Sequence, residues 1–322
     1  MRRGAAEVKV MHEHVAPAIY YLEVHLLFAS LVCLAAWVLT SFWKGAAAAK
    51  YWIWVATSLN FLVPFGGFFN GFGAAHVSWA TQLGGLADIG IGISRNLTAA
   101  ALLLGVWLSG ALLMLARLLV RVRRDRRDQS VPAARSLAQL GPHLLAHGVP
   151  VRLSAAGQGP SVDGVLRPHI SLPAGIDQVL TEAELEAVLI HEVTHARRRD
   201  NLVGLLHELA LCALWFHPLV WLTSSRLALF RELSCDDSVI ERARGADLIS
   251  ALAKLADPGE SRLLSAGAAT LFRHRLARLE TPQPPRARGA AELALIIAYA
   301  IVLLACMVET VAHTPSCFKV LI

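Results

Sequence analysis

His191, Glu192 and His195 stand together in the segment LIHEVTHARRRDN, residues 189–201. On a helix, positions i and i+4 share a face, so the two imidazoles can converge on one ion. Glu192 lies beside that axis, near enough to take a proton from a water the ion polarises, without having to bind the ion. This is the H-E-x-x-H arrangement of zinc peptidases. Zinc polarises a peptide carbonyl and lowers the pKa of water toward ~7, while the carboxylate acts first as general base and then as general acid.

Such a site takes three protein ligands and keeps a fourth position open. An H-x-x-G-x-x-H continuation is excluded, because Arg198 and Asn201 occupy the positions of its glycine and last histidine. The segment FRELSCDDSVI, residues 230–240, offers instead a glutamate on a later helix. Glu232 is the expected third ligand, and Asp236, four residues on, is placed to hydrogen-bond a ligating imidazole. Cys235 is given no role as a ligand. The near repeat HELAL has Leu211 where a second histidine would stand, so His207 and Glu208 are read as a hydrogen-bonded polar pair in a buried helix. Asp200 is assigned a structural task, clamping Arg231 or another helix end.

The elements that must position these groups follow from the apolar pattern. Of 322 residues, 55% are hydrophobic and 17% charged, and the mean hydropathy is +0.51, a balance typical of membrane proteins. Four stretches are expected to span a bilayer: about Ala18–Trp43, Tyr51–Phe69, Leu97–Val120 and Ala291–Ala312. A Gly-rich connector, residues 66–96, reads as a re-entrant or interfacial piece. Glu23, His25 and Glu309 near span ends are expected to reach the interface. The net charge of +6 is gathered beside apolar segments, as RLLVRVRRDRRD after the third span and FRHRLARLETPQPPRARG before the fourth. That pattern is a topology signal and not a nucleic-acid surface. It puts the region between the third and fourth spans in the cytosol and both termini outside. The five cysteines include no C-x-x-C pair and give no disulfide framework.

The expected organisation is a three-span region over 1–125, a cytosolic domain over 126–285, and a fourth span with a short tail over 286–322. Within the domain, VPVRLSAAGQGPSVDGVLRPHISLP alternates as a β-hairpin or small sheet. Thr181 and Glu184 form a capping box that starts the helix carrying the histidines and ending near Arg199. The stretch NLVGLLHELALCALWFHPLVWL, although long and apolar, is read as helix buried against protein or lying on the membrane surface.

DGVLRPHISLP, LIHEVTHARRRDN, WFHPLVW and RELSCDD occur in that order, and together they resemble the BlaR/MecR-type membrane zinc metallopeptidases, sensor-transducers of β-lactam resistance. The resemblance covers nearly the whole chain. It implies an integral-membrane, mainly α protein of a bacterial-type cytoplasmic (inner) membrane, with a gluzincin-like α+β zinc peptidase domain inserted between spans three and four. One Zn2+ would be held by His191, His195 and Glu232, with Glu192 as base. It also implies that the strand carrying Leu166, Arg167, His169 and Ile170 lines the substrate cleft. Family members cleave themselves or act toward a cytosolic repressor. Only HTPSCFKVLI follows the fourth span, so an extracellular penicillin-binding sensor is not expected and β-lactam sensing is not carried over.

The expected function is therefore zinc endopeptidase action on a cytosolic or membrane-proximal regulatory protein, or on the chain's own loop between about Asp257 and Pro285. The alternatives are a membrane quality-control protease and a transducer or scaffold whose zinc is structural. The expected partners are a protein or peptide substrate and membrane lipid, with a homodimer left open and no direct nucleic-acid binding.

Overall fold

The computed structural model describes residues 16–62, 97–127, 131–132, 148–154, 159–255 and 266–281, with 290, 293–294, 296–301 and 303–304. The described chain is mostly helical. Three helices come first: α1 (Ala16–Phe42), α2 (Ala47–Leu62) and α3 (Leu97–Arg127). Strands β1 (Val131–Pro132), β2 (Val151–Ser154), β3 (Ser161–Asp163) and β4 (His169–Pro173) follow. The rest is α4 (Ile176–Val179), α5 (Glu182–Arg198), α6 (Asp200–Ala213), α7 (Pro218–Ile240), α8 (Gly245–Leu255) and α9 (Ala266–Glu280).

Among the described residues, two helical stretches are long and apolar enough to cross a membrane, His25–Phe42 in α1 and Ala101–Arg123 in α3. They match the first and third expected spans. α2 covers the first part of the second, whose remainder lies outside the described residues, as do the connector 66–96 and much of the fourth span. In α1, Phe28, Val32, Ala36 and Leu39 recur every three or four residues and are buried, while Leu31, Leu34, Trp37 and Phe42 face outward. His25, expected at an interface, is instead packed inside at 5% exposure. α3 exposes Leu102, Leu103, Leu104, Val106, Leu112 and Leu113, the surface of a helix meant for lipid and not for water.

Two apolar clusters organise the rest. The first joins α1 and α2 to Leu211 and Leu214 at the end of α6 and to Val220, Leu227 and Phe230 in α7. The second joins Ile170 and Leu172 of β4 to Leu185, Val188 and Leu189 of α5, with Val239 of α7, Leu248 of α8 and Leu279 of α9. α7 alone of these helices supplies residues to both.

The stretch read as one helix over NLVGLLHELALCALWFHPLVWL is two helices. α6 ends at Ala213, and α7 starts on Pro218 with His217 extended at φ −90°, ψ 116°. Proline lacks the N–H that a continuing helix needs and pushes its predecessor out of the helical region, yet it fits a first helical position. His207 and Glu208 are bonded, but not to each other: His207 Nδ1 meets Ser58 Oγ at 2.9 Å, and Arg121 Nη1 donates to Glu208 at 2.7 Å.

The sheet has strand order β1-β2-β4-β3, with β2 and β4 parallel and the outer pairs antiparallel. Ile170 N–H donates to Pro150 O, so Ile170 turns its backbone groups toward β2. Its partner Val162 on β3 therefore turns its own toward the free edge, where Asn201 Nδ2 donates to Val162 O at 2.7 Å.

Candidate metal centre

α5 begins where the sequence places it. Thr181 Oγ1 accepts from Glu184 N–H, and Glu184 Oε2 accepts from Thr181 N–H at 2.8 Å, closing the capping box. One apolar face of α5 is buried against β4 and α8, which turns His191, Glu192 and His195 toward a cavity of about 580 Å³. The helix stops at Arg199, whose φ of 56° is left-handed and costs a non-glycine residue about 1–2 kcal/mol. That reversal starts α6 at once and brings Asp200 back beside His195.

His191 Nε2 and His195 Nε2 are 3.1 Å apart. Glu232 Oε2, from α7, lies 3.5 Å from the first and 3.8 Å from the second. His195 Nδ1–H donates to Asp200 Oδ2 at 2.7 Å, which leaves the Nε2 lone pair facing the other two ligand atoms. His191 Nδ1 stands 3.1 Å from Asp236 Oδ1 but off the line of a hydrogen bond, and it is buried without another partner.

These atoms fit a small divalent cation. Donors around a tetrahedral zinc at about 2.0–2.1 Å stand roughly 3.3–3.4 Å apart, within the spread seen here. Electrostatics agree. Burial pulls the His195 imidazolium down, but Asp200, Cys235 and Glu232 more than offset it and hold its pKa well above the ordinary histidine value. Burial raises the Glu232 carboxyl, yet the two histidines hold it well below the carboxylate range. The three side chains together call for positive charge at their centre.

Cys235, given no role from sequence, lies with its Sγ in one cluster with the two histidines, all ligand atoms within 4.8 Å. Its sulfur accepts from Arg198 Nη2 at 3.2 Å and it does not line the cavity, whereas Glu232 does. The carboxylate is therefore the better-placed third donor.

Glu192 lines the same cavity without a hydrogen bond or close ion pair among the described residues, and the charge acting with it there is that of Arg275. The opposite walls are Ser161 and Val162 of β3, Leu252 of α8, and Phe272 and Arg275 of α9. The four cleft candidates stand elsewhere. Leu166 and Arg167 are exposed, His169 lies 4.0 Å from Asp163, and Ile170 is in the core. β4 is interior to the sheet, so the cavity meets β3 instead.

Three groups escaped the sequence reading. Arg275 binds Asp236 through Nε at 3.0 Å and Nη2 at 2.9 Å, with Nη1 3.5 Å from Glu232. Arg278 binds Asp237 in the same two-pronged way. Both belong to the basic stretch taken as a topology signal. Asp200 does not clamp Arg231. It accepts from Arg198 Nε at 2.8 Å and from Tyr51 OH at 2.7 Å, besides His195. An acid two residues past a histidine helix could have suggested the His195 contact; nothing local signals Tyr51.

Part of the chain is similar to known proteins. Over 84 residues the chain is 37% identical to the regulatory protein BlaR1 of Bacillus licheniformis, covering 26% of this chain and 14% of that protein. Over 93 residues it is 23% identical to the methicillin resistance mecR1 protein of Staphylococcus aureus (strain Mu50), covering 29% and 16%. The matched segments thus span only a small part of those relatives. The family model for the BlaR1 peptidase M56 matches residues 87–249, half of the chain and the whole helical frame of the two histidines and Glu232. The chain belongs to the BlaR1 peptidase M56 family.

Proposed function

We propose that this chain is a membrane-embedded zinc endopeptidase that cleaves a cytosolic or membrane-proximal regulatory protein in signal transduction. The observation that carries this is the convergence of His191, His195 and Glu232 on one point of a cavity whose wall also holds Glu192. In this reading those three residues hold one Zn2+, which when bound polarises the scissile carbonyl and the attacking water. Glu192 accepts the proton of that water and returns it to the departing amine nitrogen. Asp200 fixes His195 as the tautomer with its Nε2 lone pair free, and Asp236 stands behind His191. The substrate lies extended against the β3 edge, where Val162 N–H is the available donor because Asn201 occupies its carbonyl.

The same reading makes the chain a four-span protein of the inner membrane, with a gluzincin-like domain facing the cytosol between spans three and four. α1 and α3 supply two spans, while α2 and the segment near Tyr299, whose OH lies 3.1 Å from Thr57 Oγ1, supply parts of the others. The chain's own loop 257–285 is the weaker substrate, because residues 266–280 are helical and proteolysis needs extended backbone.

Glu192→Gln tests the mechanism. The purified variant retains one zinc per chain and loses peptide cleavage; undiminished cleavage sinks it. A regulator trapped by the same variant in membranes supports signalling, and a broad set of misfolded membrane proteins supports quality control.

A further inference from the structure

α2 packs in the cluster of membrane-side helices, yet its first turns grip both helices that carry the ligand set. Tyr51 is fully buried, and its OH donates to Asp200 Oδ1 at 2.7 Å. The other oxygen of Asp200 accepts from His195 Nδ1 at 2.7 Å. Arg198 closes the arrangement: its guanidinium lies 4.1 Å above the Tyr51 ring and is also bound to both Asp200 oxygens. A turn earlier, Ala47 N–H donates to Asp237 Oδ2 at 3.3 Å, on α7 beside Asp236.

We propose that Tyr51 is a positioning residue for the metal centre, acting through Asp200 on His195. By this route metal affinity depends on how α2 is seated against α5 and α7. The assignment rests on the metallopeptidase reading above. The physical reason is the sharing of one carboxylate. Asp200 Oδ1 is held by Tyr51 and Arg198 Nε, and Oδ2 by His195 and Arg198 Nη2. Without the phenol OH, one oxygen loses a donor, the carboxylate can turn, and the His195 ring loses the acceptor that fixes its plane and tautomer. Loss of an outer partner of a ligating histidine weakens metal binding typically 10–100-fold. Tyr51 stands one bond further out, so the lower end, about 10-fold, is expected.

The test uses the full chain in detergent, stripped with a chelator and retitrated with Zn2+ against a chromophoric competitor. Co2+ in place of Zn2+ gives a visible spectrum that reports ligand geometry. Tyr51→Phe keeps the ring under Arg198 and removes only the OH. It should weaken Zn2+ about 10-fold and shift the Co2+ bands, and it should add nothing in an Asp200→Asn background. Trp54→Phe removes an equally buried bond on the same helix, from Trp54 Nε1 to Thr40 Oγ1, and should change neither readout. Unchanged affinity and spectrum in Tyr51→Phe, or an equal effect of Trp54→Phe, overturns the assignment. A wild-type chain that takes up neither metal overturns the proposed function itself.

Discussion

Replacing Arg275 by methionine should destabilise the peptidase region by about 3–4 kcal/mol. Asp236 is 0% exposed and its carboxylate takes two charge-assisted bonds from the guanidinium, at 2.9 and 3.0 Å. After Arg275→Met its remaining polar neighbour is His191, whose Nδ1 stands 3.1 Å away but off-line. Removing one partner of a buried pair costs about 3–5 kcal/mol, because the other charge stays desolvated. A ceiling comes from protonation. At pH 7 a carboxyl of ordinary pKa can be neutralised for about 4 kcal/mol, so the loss cannot much exceed that. At roughly 2–4 °C per kcal/mol for a unit of this size, the unfolding midpoint in detergent should fall by about 6–16 °C. The measurement belongs in excess chelator, since bound metal would stabilise the folded state by mass action.

The informative comparison is the double variant Arg275→Met with Asp236→Leu. Replacing both partners by apolar groups removes the stranded charge and should bring the midpoint back to within about 1 kcal/mol of wild type. A single variant that loses less than about 1 kcal/mol, or a double variant no more stable than the single, refutes the view that Arg275 holds α9 on α7 by neutralising Asp236.

Two further outcomes follow from contacts away from the site. Lys254, Ser250 and the Thr181 backbone hold the Glu184 carboxyl down at about 2, against an ordinary value of 4.5. Its stabilising effect over Glu184→Gln is therefore present above pH 4.5 and is lost as pH falls from 4.5 toward 2, which unfolding midpoints of both proteins across that range will show. A methyl at Gly110 would overlap the Trp215 indole, whereas Gly105 on the same helix has open space. Gly110→Ala should loosen α3 from the turn after α6 and speed amide exchange at residues 213–217, and Gly105→Ala should leave it unchanged.

The parts legible in the sequence are those fixed within a single element. His191 and His195 converge because i and i+4 share a face, and Thr181 with Glu184 caps because the box closes within one turn. Glu232 and Asp236 are brought to the same wall by the same spacing on α7. What sequence hides is the partner across a long separation. The basic run after Phe272 has the composition of a topology signal, and only the packing of α9 on α7 turns Arg275 and Arg278 toward Asp236 and Asp237. The cleft wall shifts from β4 to β3 for a related reason. A β-alternation states which side chains share a face but not which strand is the edge, and the parallel pairing of β2 with β4 leaves β3 outermost. Tyr51 sits in an apolar helix where a tyrosine is unremarked, and its meaning arises only when Asp200, 149 residues later, reaches its hydroxyl.

α7 gives these contacts a mechanical sense. It has 23 residues, about 35 Å at 1.5 Å per residue, and no proline or glycine beyond Pro218, so it moves as a rod. Its first half packs with α1 and α2 through Val220, Leu227 and Phe230, its last turns pack with the peptidase core through Val239, and Glu232 and Asp236 lie between. α2 touches this rod at Asp237, touches the start of α6 at Asp200, and reaches the histidine helix where the Tyr51 ring lies under Arg198. A displacement of α2 that preserves both grips carries Glu232 and His195 together and leaves their separation intact. One that breaks either grip changes the separation directly, and a ligand set works only within about 0.5 Å of its productive geometry. For the proposed metal centre, the coordinate it should respond to most is therefore the seating of α2 against α7 and the start of α6.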